Sequence, residues 1–154
     1  MRKSKLQHSR GQSLVETALA IPILLLLILT FIDLGRAIYY YSALQNAVRE
    51  GARFASVNNL EDHASETDVV NVVTGYSIAV DIADSDVTVV ALDGSGAIED
   101  DVTPIVYTDD TEKVTVSASI DFAPITPFLA QMLGSGNTIT LTAETTMTLS
   151  PIAR

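Results

Sequence analysis

The stretch from Thr17 to Ile32, TALAIPILLLLILTFI, carries no charged residue and is closed by Glu16 on one side and Asp33 on the other. As a helix it is slightly short of the ~20 apolar residues that span a bilayer comfortably. Extending it back through Ser13 restores the length, but brings Glu16 to or near the hydrocarbon. An ionised carboxylate at membrane depth costs on the order of 3 kcal/mol on insertion scales. Glu16 must therefore snorkel to the interface or find a partner.

The residues in front of this run fix its direction. Arg2, Lys3, Lys5 and Arg10 precede it, and the positive-inside bias keeps such a segment cytoplasmic, with the carboxy-terminal side outward. The formal charge of -10 conceals this asymmetry, because beyond Asn58 only Lys113 and Arg154 are basic. An acidic domain repels phosphate backbones, so nucleic acid is not an expected partner. The chain has no cysteine, which excludes a disulfide framework, a thiol nucleophile and a thiolate metal site.

Catalysis finds no support either. His8 lies in the basic leader and His63 in a polar loop, and there is neither a GxSxG motif nor a phosphate loop. An enzyme is not expected, and no cofactor. Asp81, Asp84 and Asp86, with Glu99 to Asp101 and Asp109 to Glu112, offer oxygen ligands of the kind calcium takes, but their spacing fits no EF-hand loop. Solvated acidic loops are the reading set against calcium.

Beyond Ile32 the helical pattern continues. Ala37, Tyr40, Tyr41, Leu44, Val48, Ala52 and Ala55 recur at intervals of three or four, leaving Arg36, Glu50 and Arg53 for the other face. One helix is predicted from about Ser13 to Val57, roughly 68 Å long at 1.5 Å per residue. Its distal half must stand in water or against a domain. Pro22 removes one amide donor and crowds the Ala18 carbonyl, so a kink or looser turn is expected there. Asn58 and Asn59 are the expected stop signals. Asp33 with Arg36, and Glu50 with Arg53, read as solvated contacts on the helix surface. Tyr39, Tyr40 and Tyr41 suit either an interfacial aromatic belt or packing in a helix bundle.

Further along, Ser65 and Asp68 form a capping-box pattern ahead of Val69, Val73, Tyr76 and Val80, which predicts a short helix. Its valines and Gly75 leave a strand as the alternative. The period then changes to two. Val87, Val89 and Ala91 make one strand, ending in the turn Asp93 to Gly96. Val114, Val116, Ala118, Ile120 and Phe122 make a second, and Ile139, Leu141, Ala143, Met147 and Leu149 one face of a third over 138–149. Pro127 to Leu133 fits a short connecting helix, and Ile105 to Tyr107 an edge strand. The fold class is α+β: a long amino-terminal helix, transmembrane and then amphipathic, with a small antiparallel β-sheet domain and one or two short helices. The expected organisation is a leader at 1–11, the long helix at 12–57 with its first half in the membrane, and an extracytoplasmic domain at 58–154.

Residues 11–22, with the basic leader before them, resemble the processing site of type IV pilin-like proteins. The resemblance implies cleavage after Gly11 by a prepilin peptidase, with Gln12 as the new amino terminus and Glu16 as its fifth residue. Gln12 departs from the aromatic or apolar residue at which many pilins begin. The following run, DLGRAIYYYSALQNAVREGARFASV at 33–57, resembles the tight-adherence (TadE-like) pseudopilins, whose REGAR-type segment falls here on Arg49, Glu50, Gly51, Ala52 and Arg53. The closing SASIDFAPITPFLAQMLGSGNTITLTAETTM is similar to their carboxy-terminal pattern, whereas residues 58–112 carry no such resemblance.

What the resemblance implies is a minor pilin or pseudopilin of a tight-adherence type pilus or related secretion system. It would sit in the bacterial inner membrane as a single-pass chain, and possible entry into an extracellular pilus follows assembly. Its partners would be the prepilin peptidase, other pilin or pseudopilin subunits, the inner-membrane assembly platform and the lipid bilayer. Removing the leader frees an amine at Gln12, and Glu16 of one subunit can pair with that amine on a neighbour, setting axial register. Pro22 softens the same helix. The alternatives are a major filament subunit, or a membrane-anchored or secreted binding protein with an acidic domain. The secreted form is the poorer fit, since Asp33 to Tyr41 offers no A-x-A cleavage pattern and continues the helix.

Overall fold

The computed structural model describes residues 8–57, 65–77, 80–93, 98–100, 111–126, 129 and 138–149. Helix α1 runs from His8 to Val57, 50 residues, or about 75 Å at the α-helical rise. It begins ahead of the predicted Ser13 and takes in Gly11 and Gln12. Propagating an existing helix is favourable enough to absorb the ~1 kcal/mol that a glycine costs. Pro22 lies inside α1 without ending it, because a proline removes one hydrogen bond of a long ladder whose flanking turns persist.

Burial divides α1 sharply. Every residue from Gly11 to Ile28 is exposed, Leu29 and Thr30 are half-buried, and Asp33 is buried. Farther up, Leu44, Ala47, Val48, Ala52 and Ala55 are fully buried, a stripe at intervals of three and four that faces the sheet. Two assignments made from periodicity change. Tyr41 is exposed, its hydroxyl accepting from Gln45 Nε2 at 3.0 Å. Arg36 is half-buried on the domain side.

Helix α2, Glu66–Tyr76, starts as its sequence dictates. The Ser65 hydroxyl accepts from the Asp68 amide at 3.2 Å, and the Asp68 carboxylate accepts from the Ser65 amide at 3.1 Å. This reciprocal cap satisfies donors that the first turn leaves orphaned. Val69, Val70 and Val73 face the core, whereas Tyr76 is exposed. Gly51 marks where α1 meets α2: a Cβ there would collide with Val73 Cγ2 and lie 3.7 Å from Val116 Cγ1.

Strands β1 (Val87–Asp93), β2 (Ile98–Asp100), β3 (Thr111–Phe122) and β4 (Ile139–Thr148) form an antiparallel sheet in the order β2-β1-β3-β4. Along β3, Val114, Val116, Ala118, Ile120 and Phe122 are buried, while the intervening residues reach solvent. On the outer face the hydroxyls of Thr115 and Thr146, paired across β3 and β4, lie 2.8 Å apart. The core fills the space between the sheet's inner face, the upper half of α1 and α2.

The direction of β3 fixes which end of the domain lies near the exposed half of α1. Val116 lies beside Gly51, and Phe122 meets Tyr40 edge-on with ring centroids 5.7 Å apart. As β3 advances, α1 is met ever closer to its apolar half, so the β3–β4 connection starts at that end. The predicted connecting helix at 127–133 lies outside the described residues except for Leu129, whose amide donates to the Thr126 carbonyl at 3.4 Å. The expected edge strand at 105–107, the turn at 94–96 and the Asn58–Asn59 stop also lie outside them. Strand β2 was not suggested by the sequence, being too short to display a period.

Candidate assembly site

Among the described residues, the apolar half of α1 has no partner in the fold. Leu14 and Leu19 are each 72% exposed, and this is the face that burial elsewhere would most reward. Its threonine hydroxyls are already satisfied internally. Thr17 Oγ1 donates to the Ser13 carbonyl at 2.9 Å and Thr30 Oγ1 to the Leu26 carbonyl at 2.9 Å, the arrangement that lets polar residues sit in a bilayer.

Glu16 is different. It is exposed and makes no hydrogen bond or ion pair among the described residues. With Ser13, Thr17, Ala20, Ile21 and Leu24 it lines a shallow concavity on one side of the helix. Gln12 lies one turn below. Within the described fold this carboxylate stands on an apolar surface with no compensating charge beside it.

Gly11 stands in open space, with nothing within 4 Å of where a Cβ would be. The fold therefore gives no steric reason for glycine at this position. The Gly11–Gln12 peptide is helical, so cleavage there would require local unwinding, which the poor helix propensity of glycine eases. The Arg49–Arg53 segment has an evident structural role instead. Gly51 and Ala52 are buried against α2 and the sheet, while Arg53 Nε donates to Glu50 Oε1 and Oε2 at 3.0 and 3.1 Å on the solvent side. That pair is the surface contact its spacing suggested.

The second surface pair is not. Asp33 is 1% exposed, and its carboxylate accepts from the backbone amides of Ile125 at 2.9 Å and Thr126 at 2.6 Å, as well as from Arg36 Nη1 at 3.1 Å. The Arg36 guanidinium carbon also lies 5.2 Å from the Phe122 ring centroid and 5.7 Å from that of Tyr40, within cation–π range. Asp33 is the first charge after the apolar run, and it clamps the start of the β3–β4 connection to the helix. Burial works against its ionisation. The Thr126 side chain, whose buried hydroxyl makes no well-formed hydrogen bond of its own, the two amides and Arg36 together hold the pKa below the usual aspartate value.

Sequence reasoning missed this joint because both amides come from the far end of the chain. A signal was nonetheless present. Asp33 is in step with Ala37, Tyr40 and Leu44 at intervals of four, three and four, so it extends the core stripe rather than the solvent face. Among the described residues, no group of three or more histidine, aspartate or glutamate side chains converges as a metal site would require.

Among the described residues, one helix is long and apolar enough to cross a membrane, and its upper half is built into a small antiparallel sheet. Residues 11–53 match the family described as TadE-like protein, so that segment of the chain is similar to TadE-like proteins. The match opens at Gly11 and closes at Arg53, leaving the sheet outside it. No curated protein and no solved structure matches the chain.

Proposed function

We propose that this protein is a minor pilin or pseudopilin of a tight-adherence type pilus or related secretion system, a structural subunit without catalytic activity. It is made as a single-pass precursor with its amino terminus in the cytoplasm and the sheet domain outside. A prepilin peptidase removes the leader after Gly11, and the apolar half of α1 then packs among the helices of sister subunits. The observation that carries this reading is the TadE-like match lying on a helix whose first half is apolar and unpartnered in the fold.

Processing converts an anchor into an assembly unit. With the basic leader gone, the charged segment that held the chain in the membrane no longer opposes its transfer into a bundle. The new amine at Gln12 becomes available to Glu16 of a neighbour. The minor role is favoured because the chain builds a sizeable folded domain on its helix.

Amino-terminal sequencing of the protein recovered from cells with a prepilin peptidase tests this reading. A start at Gln12 is expected, and a start beyond Leu34 would instead indicate ordinary secretion. Because nothing packs against Gly11, Gly11→Ala should leave the fold intact and yield an uncleaved, membrane-bound precursor. Normal processing of that variant would refute recognition at this glycine.

A further inference from the structure

We propose that the domain's membrane-proximal end is itself a lipid-contacting surface, with the Ile125 side chain seated in the interfacial layer of the bilayer. This rests on the reading of α1 as the membrane-spanning helix. Asp33 directly follows the apolar run, which places it where hydrocarbon gives way to headgroups. The headgroup layer is roughly 5–8 Å deep on each side of a ~30 Å core. The Ile125 amide is 2.9 Å from Asp33 Oδ1, so the clamp fixes this residue at that depth.

Three observations converge on this end of the domain. Ile125 is 59% exposed although its backbone is pinned. Leu34, Ile38 and Tyr39 are exposed on α1 within about 9 Å of the same level, taking 1.5 Å per residue, and tyrosine at such a level is characteristic of membrane interfaces. The fold's cover on α1 begins at Leu29 and Thr30, within the apolar run, so the domain reaches down to the boundary rather than standing clear of it.

The partner is the acyl–headgroup boundary and not anionic headgroups. Past Asn58 the chain is acidic apart from Lys113 and Arg154, so attraction to negative lipid has no source there. Apolar insertion of Ile125 beside the spanning helix requires no lipid charge, and zwitterionic vesicles should suffice.

The full chain has no cysteine, which makes single-site labelling direct. Ile125→Cys keeps the amide that bonds Asp33 and alters only an exposed side chain. Leu24→Cys and Glu144→Cys report the middle of the apolar run and the outer face of β4. Each variant is labelled with an environment-sensitive fluorophore and reconstituted in phosphatidylcholine vesicles containing increasing fractions of doxyl-labelled lipid. Loss of emission at positions 24 and 125, with little at 144, is the expected result. Quenching at 24 with position 125 as unaffected as 144 would overturn the inference while leaving the spanning helix in place. No quenching at 24 would overturn both. A blue-shifted label at 125 that ignores the lipid quencher and reverts on dilution into excess lipid would assign this face to a second copy of the chain, against the proposal.

Discussion

Asp33 and Thr126 are separated by 93 residues of chain and joined by a hydrogen bond of 2.6 Å, carboxylate to backbone amide, in a buried setting. With the companion bond to Ile125, it ties the last strand-to-strand connection of the sheet to the point where α1 leaves its apolar run. The domain is thereby held at a defined height on the helix.

Removing the carboxylate should be costly. Asp33→Ala leaves two amides, one of them fully buried, without their acceptor, and unsatisfied buried donors cost about 1–3 kcal/mol each. A loss of about 2–3 kcal/mol is expected in denaturant unfolding of the detergent-solubilised protein. An unchanged midpoint would mean that water or another residue takes over both amides.

The same clamp should respond to acid in one direction. The folded-state pKa of Asp33 is depressed from the usual value of 3.8, so its contribution to stability is complete above that value and is lost as pH falls through the lower, folded-state one. Neutral and mildly acidic solutions should not loosen the joint. Unfolding curves of the native protein and Asp33→Asn should therefore converge only in strong acid. Convergence already near pH 6 would contradict a depressed pKa.

Gly51→Ala poses a conflict of signs. In an isolated helix the change favours folding by up to about 1 kcal/mol, but here the added methyl meets Val73 Cγ2. Val73 is fully buried and, being β-branched in a helix, has little rotamer freedom with which to retreat. Overpacking should prevail, with a net loss of about 1–3 kcal/mol. Adding Val73→Ala should cost less in the Gly51→Ala background than in the native chain. Strictly additive effects would show that the two positions do not compete for space.

For Glu16 the expected defect is in assembly alone. The residue has no partner within the described fold, so Glu16→Ala should be membrane-inserted, cleaved and folded as the native chain is. Incorporation into filaments, followed by immunoblot of sheared pili, should fall sharply. Native-level incorporation would dismiss the pairing with a neighbour's Gln12 amine.

Local patterns were the legible part of this fold. The Ser65–Asp68 cap and the alternation along β3 each depend on residues a few positions apart, and both form as their sequences indicate. α1 was legible to its carboxyl end, but its start was placed late, at about Ser13, whereas the helix in fact extends back through Gly11. Asp33 was misjudged for a different reason. A charge three residues before an arginine has the spacing of a surface pair whether or not a loop from the far end of the chain covers it. Gly51 belongs to the same class, since its requirement comes from Val73 on another helix. The roles proposed for Gly11, Gln12 and Glu16 came only through resemblance, because nothing in the described fold packs against Gly11 or pairs with Glu16.

One property of α1 reaches beyond anchoring. A helix unbroken from Gly11 into the core has no swivel, so the compass bearing of Glu16 dictates that of the sheet. Each residue turns the helix by about 100°, and a single residue inserted between Leu27 and Ile28, below the first residues that the domain covers, would swing the domain through that angle while leaving both halves internally intact. The orientation in which the sheet presents its outer face is thus written into the count of residues along one helix.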